Sequence, residues 1–549
     1  MENKKKNEPL VWIGKYLKKH IGKLFFLSVI SAGIAGSFIV LAIISSQILD
    51  GVMGTGKNHL LFDCLLLAVV ILLLGVLNVV NSRLRVSMAG QLDMDMKATI
   101  LQQLFRKNYL EVSRFHSGEI MNRFTSDIDI VVSGITGIIP QMVTIATKLI
   151  FGMTVLFFID PLFTMVILII GVTVGCTGRL YSKKFQYIHK EMQEKSGKVR
   201  SFMQECVENI MMIKSFSNAA RIEEKLEKCQ QDYYKVRVKK NTISNLANTC
   251  AYVAFTAGYY GALAWGAIHI AAGTMTFGKL AAFLQIVNQM RMPFLNVSGL
   301  LPQYYSMLSS AQRLIELEEL EDEKYRESSE VSAEVYNKME EIVFEHIEFA
   351  YGDTQVFRDL SVHIPKSGMT AIVGISGKGK STMMKLLLGL VHSEKGELYF
   401  RTKQGCIPID ERTRSLFAYV PQGNIIFSGT IGENIAFSRK EVTEQEILQA
   451  AETACLTELI EQLPNGLHTV LGERGRGLSE GQTQRIAIAR AVLSDAPVLL
   501  LDECTSALDE ETERKVMKNL QRLETKTIIC ISHRSAISEE CDWVIQIDG

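Results

Sequence analysis

Charge is scarce in this chain and cancels where it occurs: there are 59 Lys+Arg and 59 Asp+Glu, and charged residues make up 21% of 549 positions. Zero net charge removes the basic footprint of a nucleic-acid binder, so no nucleic-acid partner is expected. With 47% hydrophobic residues, bulk disorder is excluded as well. The ten cysteines, Cys64, Cys176, Cys406 and Cys504 among them, contain no C-x-x-C pair and no Cys/His cluster at metal-ligand spacing. A disulfide framework is therefore not expected, and the thiols serve as small apolar groups. The length allows more than one domain. Mean hydropathy is nonetheless positive, at +0.14, which requires apolar residues to be concentrated somewhere. They lie in the first 310 residues.

The first apolar run, Leu24 to Leu49, has no charged residue in 26 positions. As a helix it is roughly 39 Å long, enough to cross a hydrocarbon core of ~30 Å with some tilt. It is too long for the apolar region of a secretory signal and reads as a retained span. Further spans are expected at about 60–81, 138–159, 161–181, 245–272 and 277–309, six in all. Residues 1–23 carry seven lysines, 82–137 carry seven Lys/Arg and 182–243 carry fourteen, whereas the intervening loops 50–59, Asp160 and 273–276 hold only Lys57. By the positive-inside rule the N terminus is cytosolic. The two long cytosolic connections show apolar residues at three- and four-residue steps, from Leu84 to Phe105 and from Met203 to Phe216, and read as helices that leave the membrane and return.

A charge-dense stretch, Glu316 to Glu330, ends the membrane pattern. Residues 1–320 form a membrane domain, 321–340 a linker, and 341–549 a mixed α/β domain in which apolar runs alternate with helical stretches. Within the last, Gly374-Ile375-Ser376-Gly377-Lys378-Gly379-Lys380-Ser381-Thr382 follows the apolar run Thr370–Val373 and precedes a helical stretch. This is G-x-x-x-x-G-K-[ST] in the strand–loop–helix context of a phosphate-binding loop. Its glycines let successive backbone N–H groups turn toward an anion, and the helix start adds partial positive charge. Lys380 is expected to reach the β- and γ-phosphates and Ser381 to ligate Mg²⁺. Val498 to Leu501, an apolar strand, ends in Asp502 and Glu503. There Asp502 serves Mg²⁺, and Glu503 is placed to polarise a water as general base. Ser479 and Gln482, ahead of a helical stretch, fit a capping box.

Leu478-Ser-Glu-Gly-Gln482 resembles the signature of ABC transporters, whose usual form is Leu-Ser-Gly-Gly-Gln. The resemblance extends to Tyr351, to Gln422 in Val-Pro-Gln, to Gly472-Glu-Arg-Gly475, to Ser506-Ala-Leu-Asp509 and to His533 in Ile-Ser-His. Arg114 to Glu119 with Arg123 to Asp127, and Glu205 to Phe216, resemble the family's two cytosolic coupling regions. The whole chain looks like a half-transporter of the exporter fold: a six-helix, all-α transmembrane domain followed by an α/β P-loop ATPase domain. This implies a multi-pass protein of the cell membrane with a cytosolic ATPase domain, ATP and Mg²⁺ as nucleotide and metal, and a second half-transporter as partner. It further implies that Tyr351 stacks on adenine, Gln422 ligates Mg²⁺, and His533 contacts the γ-phosphate. Ser479, Gly481 and Gln482 would face the nucleotide of the partner chain, with Asp509 in the loop after the carboxylates.

Two residues depart from the family pattern. Glu480 replaces a glycine and would repel a phosphate; it is expected to turn away or bind a cation, with slower turnover than a glycine variant. Lys378 is a second lysine inside the phosphate loop. Its side chain either adds attraction for phosphate or stays solvated. Both departures raise the expectation of a dimer of two different chains with one weakened composite site, although a dimer of two copies of this chain is the favoured reading. The last span is the most polar, with Gln285, Asn288, Gln289, Arg291 and Asn296, and Lys148 lies mid-span in the third. Intramembrane charge faces protein or water, so Lys148, Gln285, Gln289, Arg291 and Asn296 are candidates to line a cavity for a small amphipathic substrate. An importer, or a substrate-gated regulatory ATPase on the same fold, is the alternative to export.

Overall fold

The computed structural model describes residues 2–54, 59–324, 334–375, 377–423, 426–472, 475, 477–532 and 540–547. They divide into two units, residues 1–102 with 117–319, and residues 103–116 with 320–549.

The first unit is built on six long helices: α1 (Ile21–Val52), α2 (Leu60–Leu104), α3 (Ile128–Ile159), α4 (Pro161–Glu208), α5 (Ala219–Ala271) and α6 (Phe277–Glu318). Three helical stretches, Glu8–Val52, Leu60–Leu104 and Ser117–Ile159, are long and apolar enough to cross a membrane among the described residues. The remaining three expected spans fall within α4, α5 and α6. Local chemistry sets the helix starts. Asp160 caps α4 by accepting the Phe163 N–H at 3.0 Å, with Pro161 in the first turn. Thr276 caps α6 through the Lys279 N–H. Asp50, at the end of α1, accepts from the Thr276 hydroxyl and the Gly278 N–H, both at 2.9 Å. A Cβ on Gly278 would lie 2.2 Å from the Ser46 carbonyl oxygen, so glycine permits this close approach.

Apolar packing joins α1, α3 and α6 through Leu27, Ile128, Val131, Ile135 and Leu314, together with Met88, Leu92 and Met96 from α2. A second cluster, including Phe38, Leu156, Phe163, Ala262, Phe283 and Ile286, draws in α4 and α5. The first half of α2 stands apart: Leu61 is 86% and Leu72 71% exposed. So long an apolar surface belongs against lipid or another chain. A π-turn over Arg123–Asp127 precedes α3. Asp127 is 1% exposed; it accepts from Ser310 Oγ at 2.8 Å, from Arg313 Nε at 2.8 Å and from Arg313 Nη2. Arg123 pairs with Glu119 at 2.8 Å and Glu316 at 3.1 Å.

The second unit contains two main sheets. Strands β1 (Met339–Tyr351), β2 (Thr354–Pro365), β4 (Lys395–Thr402) and β5 (Gly405–Pro408) form an antiparallel sheet in the order β2-β1-β4-β5. Strands β3 (Gly368–Gly374), β6 (Phe417–Val420), β7 (Val498–Asp502), β8 (Thr527–Ile531) and β9 (Trp543–Ile547) form a parallel sheet in the order β9-β3-β8-β7-β6. Every residue of β7 is buried, as a strand covered on both faces requires. Its side chains alternate: Leu499 and Leu501 join the core that holds α8 (Glu480–Leu493) and α9 (Glu510–Gln521). Val498 and Leu500 join the core beneath α7 (Lys380–Leu387) and the antiparallel sheet.

Residues 325–333 of the expected linker lie outside the described residues. The segment 103–116, part of the membrane half in sequence, packs into this second unit. Lys107 pairs with Asp322 at 2.7 Å and donates to the Leu320 carbonyl. The Asn108 N–H donates to the Glu321 carbonyl and the Glu323 N–H to that of Arg106, both at 2.8 Å. Asn108 also caps the short helix Tyr109–Ser113, from which Leu110 packs against the core. Such long-range pairing is invisible to periodicity.

Candidate nucleotide site

The phosphate loop lies between β3 and α7, at the C-terminal end of a parallel strand, where open α/β sheets place their ligands. Gly374, Gly377 and Gly379 all have positive φ, +155°, +82° and +95°. At Gly379 a Cβ would also strike the Phe357 ring at 2.6 Å, so the residue that opens α7 has neither the conformation nor the room for a side chain. Lys380 is buried and donates to the carbonyls of Gly374 at 2.7 Å and Ile375 at 3.2 Å. Burial pulls its ammonium below the usual lysine range, against the opposing pull of Glu503 and Asp502. Ile375 and Lys378 are exposed and Thr382 is buried; Ser376 lies outside the described residues.

Parallel pairing of β7 with β6 and β8 delivers the carboxylates to the same edge. Ser381 Oγ donates to Asp502 Oδ1 at 3.3 Å, and the Tyr419 hydroxyl donates to Oδ2 at 3.1 Å. Burial pushes the Asp502 carboxyl above the usual range, with those two donors opposing. Gln422 Nε2 donates to Glu503 Oε2 at 2.7 Å. Glu503 holds φ of +49°, a strained value for a residue with a side chain, and such strain clusters at functional sites. Lys380, Ser381, Asp502, Glu503 and Gln422 are thus linked through one small polar cluster. Tyr419 was not singled out in the sequence; its signal was there, since a tyrosine in a strand entering a buried sheet must find a partner for its hydroxyl.

Tyr351 packs edge-on against Phe349, with ring centroids 4.8 Å apart, and Lys385 Nζ stands 5.7 Å from the Tyr351 ring and 5.8 Å from that of Tyr109. Ser479 caps α8: its Oγ accepts the Gln482 N–H at 3.2 Å, and Gln482 Oε1 accepts the Ser479 N–H at 2.8 Å. The box leaves the Ser479 hydroxyl proton available for an anion. Gly481 is enclosed, since a Cβ there would come within 2.9 Å of the Ala507 carbonyl oxygen. Asp509 caps α9 through the Thr512 N–H at 2.9 Å, a bond that holds its carboxyl below the usual range. His533, and Glu473 and Arg474 ahead of the signature, lie outside the described residues.

In the first unit, Lys148 Nζ donates to Gln289 Oε1 at 3.3 Å and lies 5.9 Å from the Phe38 ring centre. Gln285 and Asn296 are half-buried on the same helix. Arg291 does not join them. Its guanidinium lies over the Tyr252 ring of α5, at 4.6 Å, beside a cleft of about 190 Å³ lined by Phe255, Tyr259, Tyr260, Val287 and Asn288. The helical period turns residue 291 away from the face shared by 285, 289 and 296.

The family profile described as the ABC transporter transmembrane region matches residues 21–294, and the one described as ABC transporter matches residues 357–506. The ATP-dependent lipid A-core flippase of Haemophilus influenzae is 30% identical over 509 residues, covering 90% of this chain and 85% of that one. The transport/processing ATP-binding protein ComA of Streptococcus pneumoniae is 30% identical over 94% of this chain and 71% of its own. The fatty acid ABC transporter ATP-binding/permease protein of Mycobacterium tuberculosis is 29% identical over 78% of this chain and 68% of its own. The solved structure of a bacterial Atm1-family ABC exporter with ATP bound superposes with a TM-score of 0.78 at 20% identity, covering 97% of this chain and 94% of that one. The chain belongs to the ABC transporter family: it is a multi-pass, ATP-hydrolysing half-transporter of the exporter fold that works as a dimer with another half-transporter.

Proposed function

We propose that this chain exports or flips an amphipathic substrate across the cell membrane, with its ATPase unit in the cytosol, and that each ATP is bound at a seam between the phosphate loop of one subunit and the signature of the other. The observation that carries the reading is the convergence of Lys380, Ser381, Gln422, Asp502 and Glu503 at one sheet edge, in a chain that begins with six long helices. Lys380 and the N–H groups of residues 374–382 hold the triphosphate, and Tyr351 offers its ring to adenine. Hydroxyl, carboxamide and carboxylate oxygens of Ser381, Gln422 and Asp502 are hard donors that suit Mg²⁺, which takes its other ligands from phosphate and water. Bound there, Mg²⁺ would neutralise phosphate charge. Glu503, held by Gln422, orients and deprotonates the attacking water, and His533 steadies the γ-phosphate. Across the seam, the Ser479 hydroxyl, the Gly481 N–H and Gln482 complete the site, and Asp509 lies beside it. ATP favours the closed pair by binding both faces at once, and hydrolysis removes that preference. The membrane helices follow as rigid bodies.

Lys148, Gln285, Gln289 and Asn296 form the substrate path, without Arg291, an arrangement that supports a cargo with both polar and apolar parts. The Haemophilus relative is named for a lipid A-core flippase and the mycobacterial one for fatty acids, which supports a lipid-like cargo. The deciding experiment purifies this chain alone, determines its stoichiometry, and compares ATP turnover with Glu503→Gln. Dimeric protein whose turnover falls by about 10²–10⁴ in the variant, while ATP binding persists, is expected. Undiminished turnover in Glu503→Gln rejects the site. ATP-dependent movement of a fluorescent phospholipid in vesicles tests the direction.

A further inference from the structure

The side chains of Lys378 and Glu480, the two departures from the family pattern, have no role in the mechanism above. Both are exposed. The Lys378 backbone N–H bonds the Ile375 carbonyl at 3.3 Å, and the Glu480 carbonyl accepts from Thr483 Oγ1 at 2.7 Å. Neither the ammonium nor the carboxylate has a partner among the described residues. Gly377 and Gly379 take positive φ on either side of Lys378, and the loop's other lysine, Lys380, is turned in to the carbonyls of Gly374 and Ile375. In the first turn of α8, Gln482 is held by the Ser479 N–H, Thr483 by the Glu480 carbonyl, and Gly481 has no side chain. That leaves Glu480 as the one side chain of the turn with no bond to its own chain among the described residues.

This inference rests on the seam proposed above, in which the phosphate loop of one subunit faces the signature of the other. Alone, a carboxylate in the signature opposes the phosphates it faces. Alone, an extra lysine leaves a solvated charge at the interface. We propose that Lys378 of one subunit forms an ion pair with the partner's Glu480 across each seam, so that this chain is matched to a second copy of itself. Two-fold symmetry supplies the pair twice per dimer. Because both charges are encoded in one chain, a different partner with the usual glycine in its signature leaves Lys378 unanswered, which discriminates in favour of self-association.

The test uses the full-length chain alone, in lipid nanodiscs and in the Glu503→Gln background that slows turnover, and reads the ATP concentration giving half-maximal retention of radiolabelled ATP after gel filtration. Glu480→Lys is expected to raise that concentration about tenfold with Lys378 in place, and to lower it when combined with Lys378→Glu. This inversion of sign is independent of any direct effect of Lys378→Glu on nucleotide binding. A neutral set repeats the comparison should the reversals not fold: Lys378→Ser is expected to cost about fivefold with Glu480 present and less than twofold with Glu480→Gly. Retention with charge effects that simply add overturns the pair and leaves the seam standing. Failure of the chain alone to retain any ATP overturns both.

Discussion

Replacing Asp127 by asparagine isolates the strongest polar junction described in the membrane unit. Asp127 accepts from Ser310 Oγ, Arg313 Nε and Arg313 Nη2 in a site where it is 1% exposed. Asparagine keeps the shape but leaves one carbonyl oxygen to be shared by Ser310 and Arg313, so at least one charge-assisted bond from Arg313 is lost and that N–H is left facing an amide NH₂. A charge-assisted bond contributes about 1.5–3 kcal/mol, against about 1 kcal/mol for a neutral one. The Arg313 side chain is 42% exposed, so water recovers part of the loss and the low end applies. The expected cost is about 2 kcal/mol. A double-mutant cycle with Arg313→Gln, followed by thermal unfolding of the protein in nanodiscs, measures it: each single change should lower the midpoint, and the double change should lower it little further than the worse single one. Midpoints that fall additively, or that do not fall at all, refute the reasoning.

Three further outcomes are expected. Lys148→Ala should abolish transport in vesicles while leaving folding and basal ATP turnover intact; unchanged transport removes Lys148 from the substrate path. Asp502→Asn should abolish hydrolysis yet stabilise the nucleotide-free protein. Burial raises the Asp502 carboxyl in the folded state, so its ionisation opposes folding at neutral pH, and that penalty fades as the pH falls through the raised value. A gain of about 1 kcal/mol at pH 7 that shrinks toward pH 4 is expected in paired melting curves; a gain constant with pH contradicts the assignment. Tyr419→Phe removes one of the two donors to Asp502 and should cost about 1 kcal/mol of stability together with part of the turnover; a fully active, equally stable variant shows that the bond does not matter.

The features legible in the sequence were those written in contiguous residues. Loop 374–382 needs only its glycines, its lysine and its flanking strand and helix, and Val498 to Glu503 needs only an apolar run and two acids. The reciprocal bonds of Ser479 and Gln482 follow from a three-residue spacing. What stayed hidden depends on elements far apart in the chain. Nothing local says that Tyr419 meets Asp502, or that Asp127 meets Arg313. Arg291 is a cavity candidate in the sequence as an intramembrane charge, whereas α5 supplies Tyr252 as its partner on a different side of the helix. Composition and spacing give faces; partners come from topology.

The place of residues 103–116 bears on how the ATPase lobe is made. That lobe is stitched from two distant stretches of chain, and the earlier one leaves the ribosome long before β1 exists. During synthesis Leu110 and Lys107 must wait, uncovered, for the core and for Asp322. An ATPase fragment cut just after the last helix would lack this piece, with a greasy notch where Leu110 belongs and Asp322 stripped of its lysine. Completion of the lobe thereby requires that the whole chain between the two stretches has already been made.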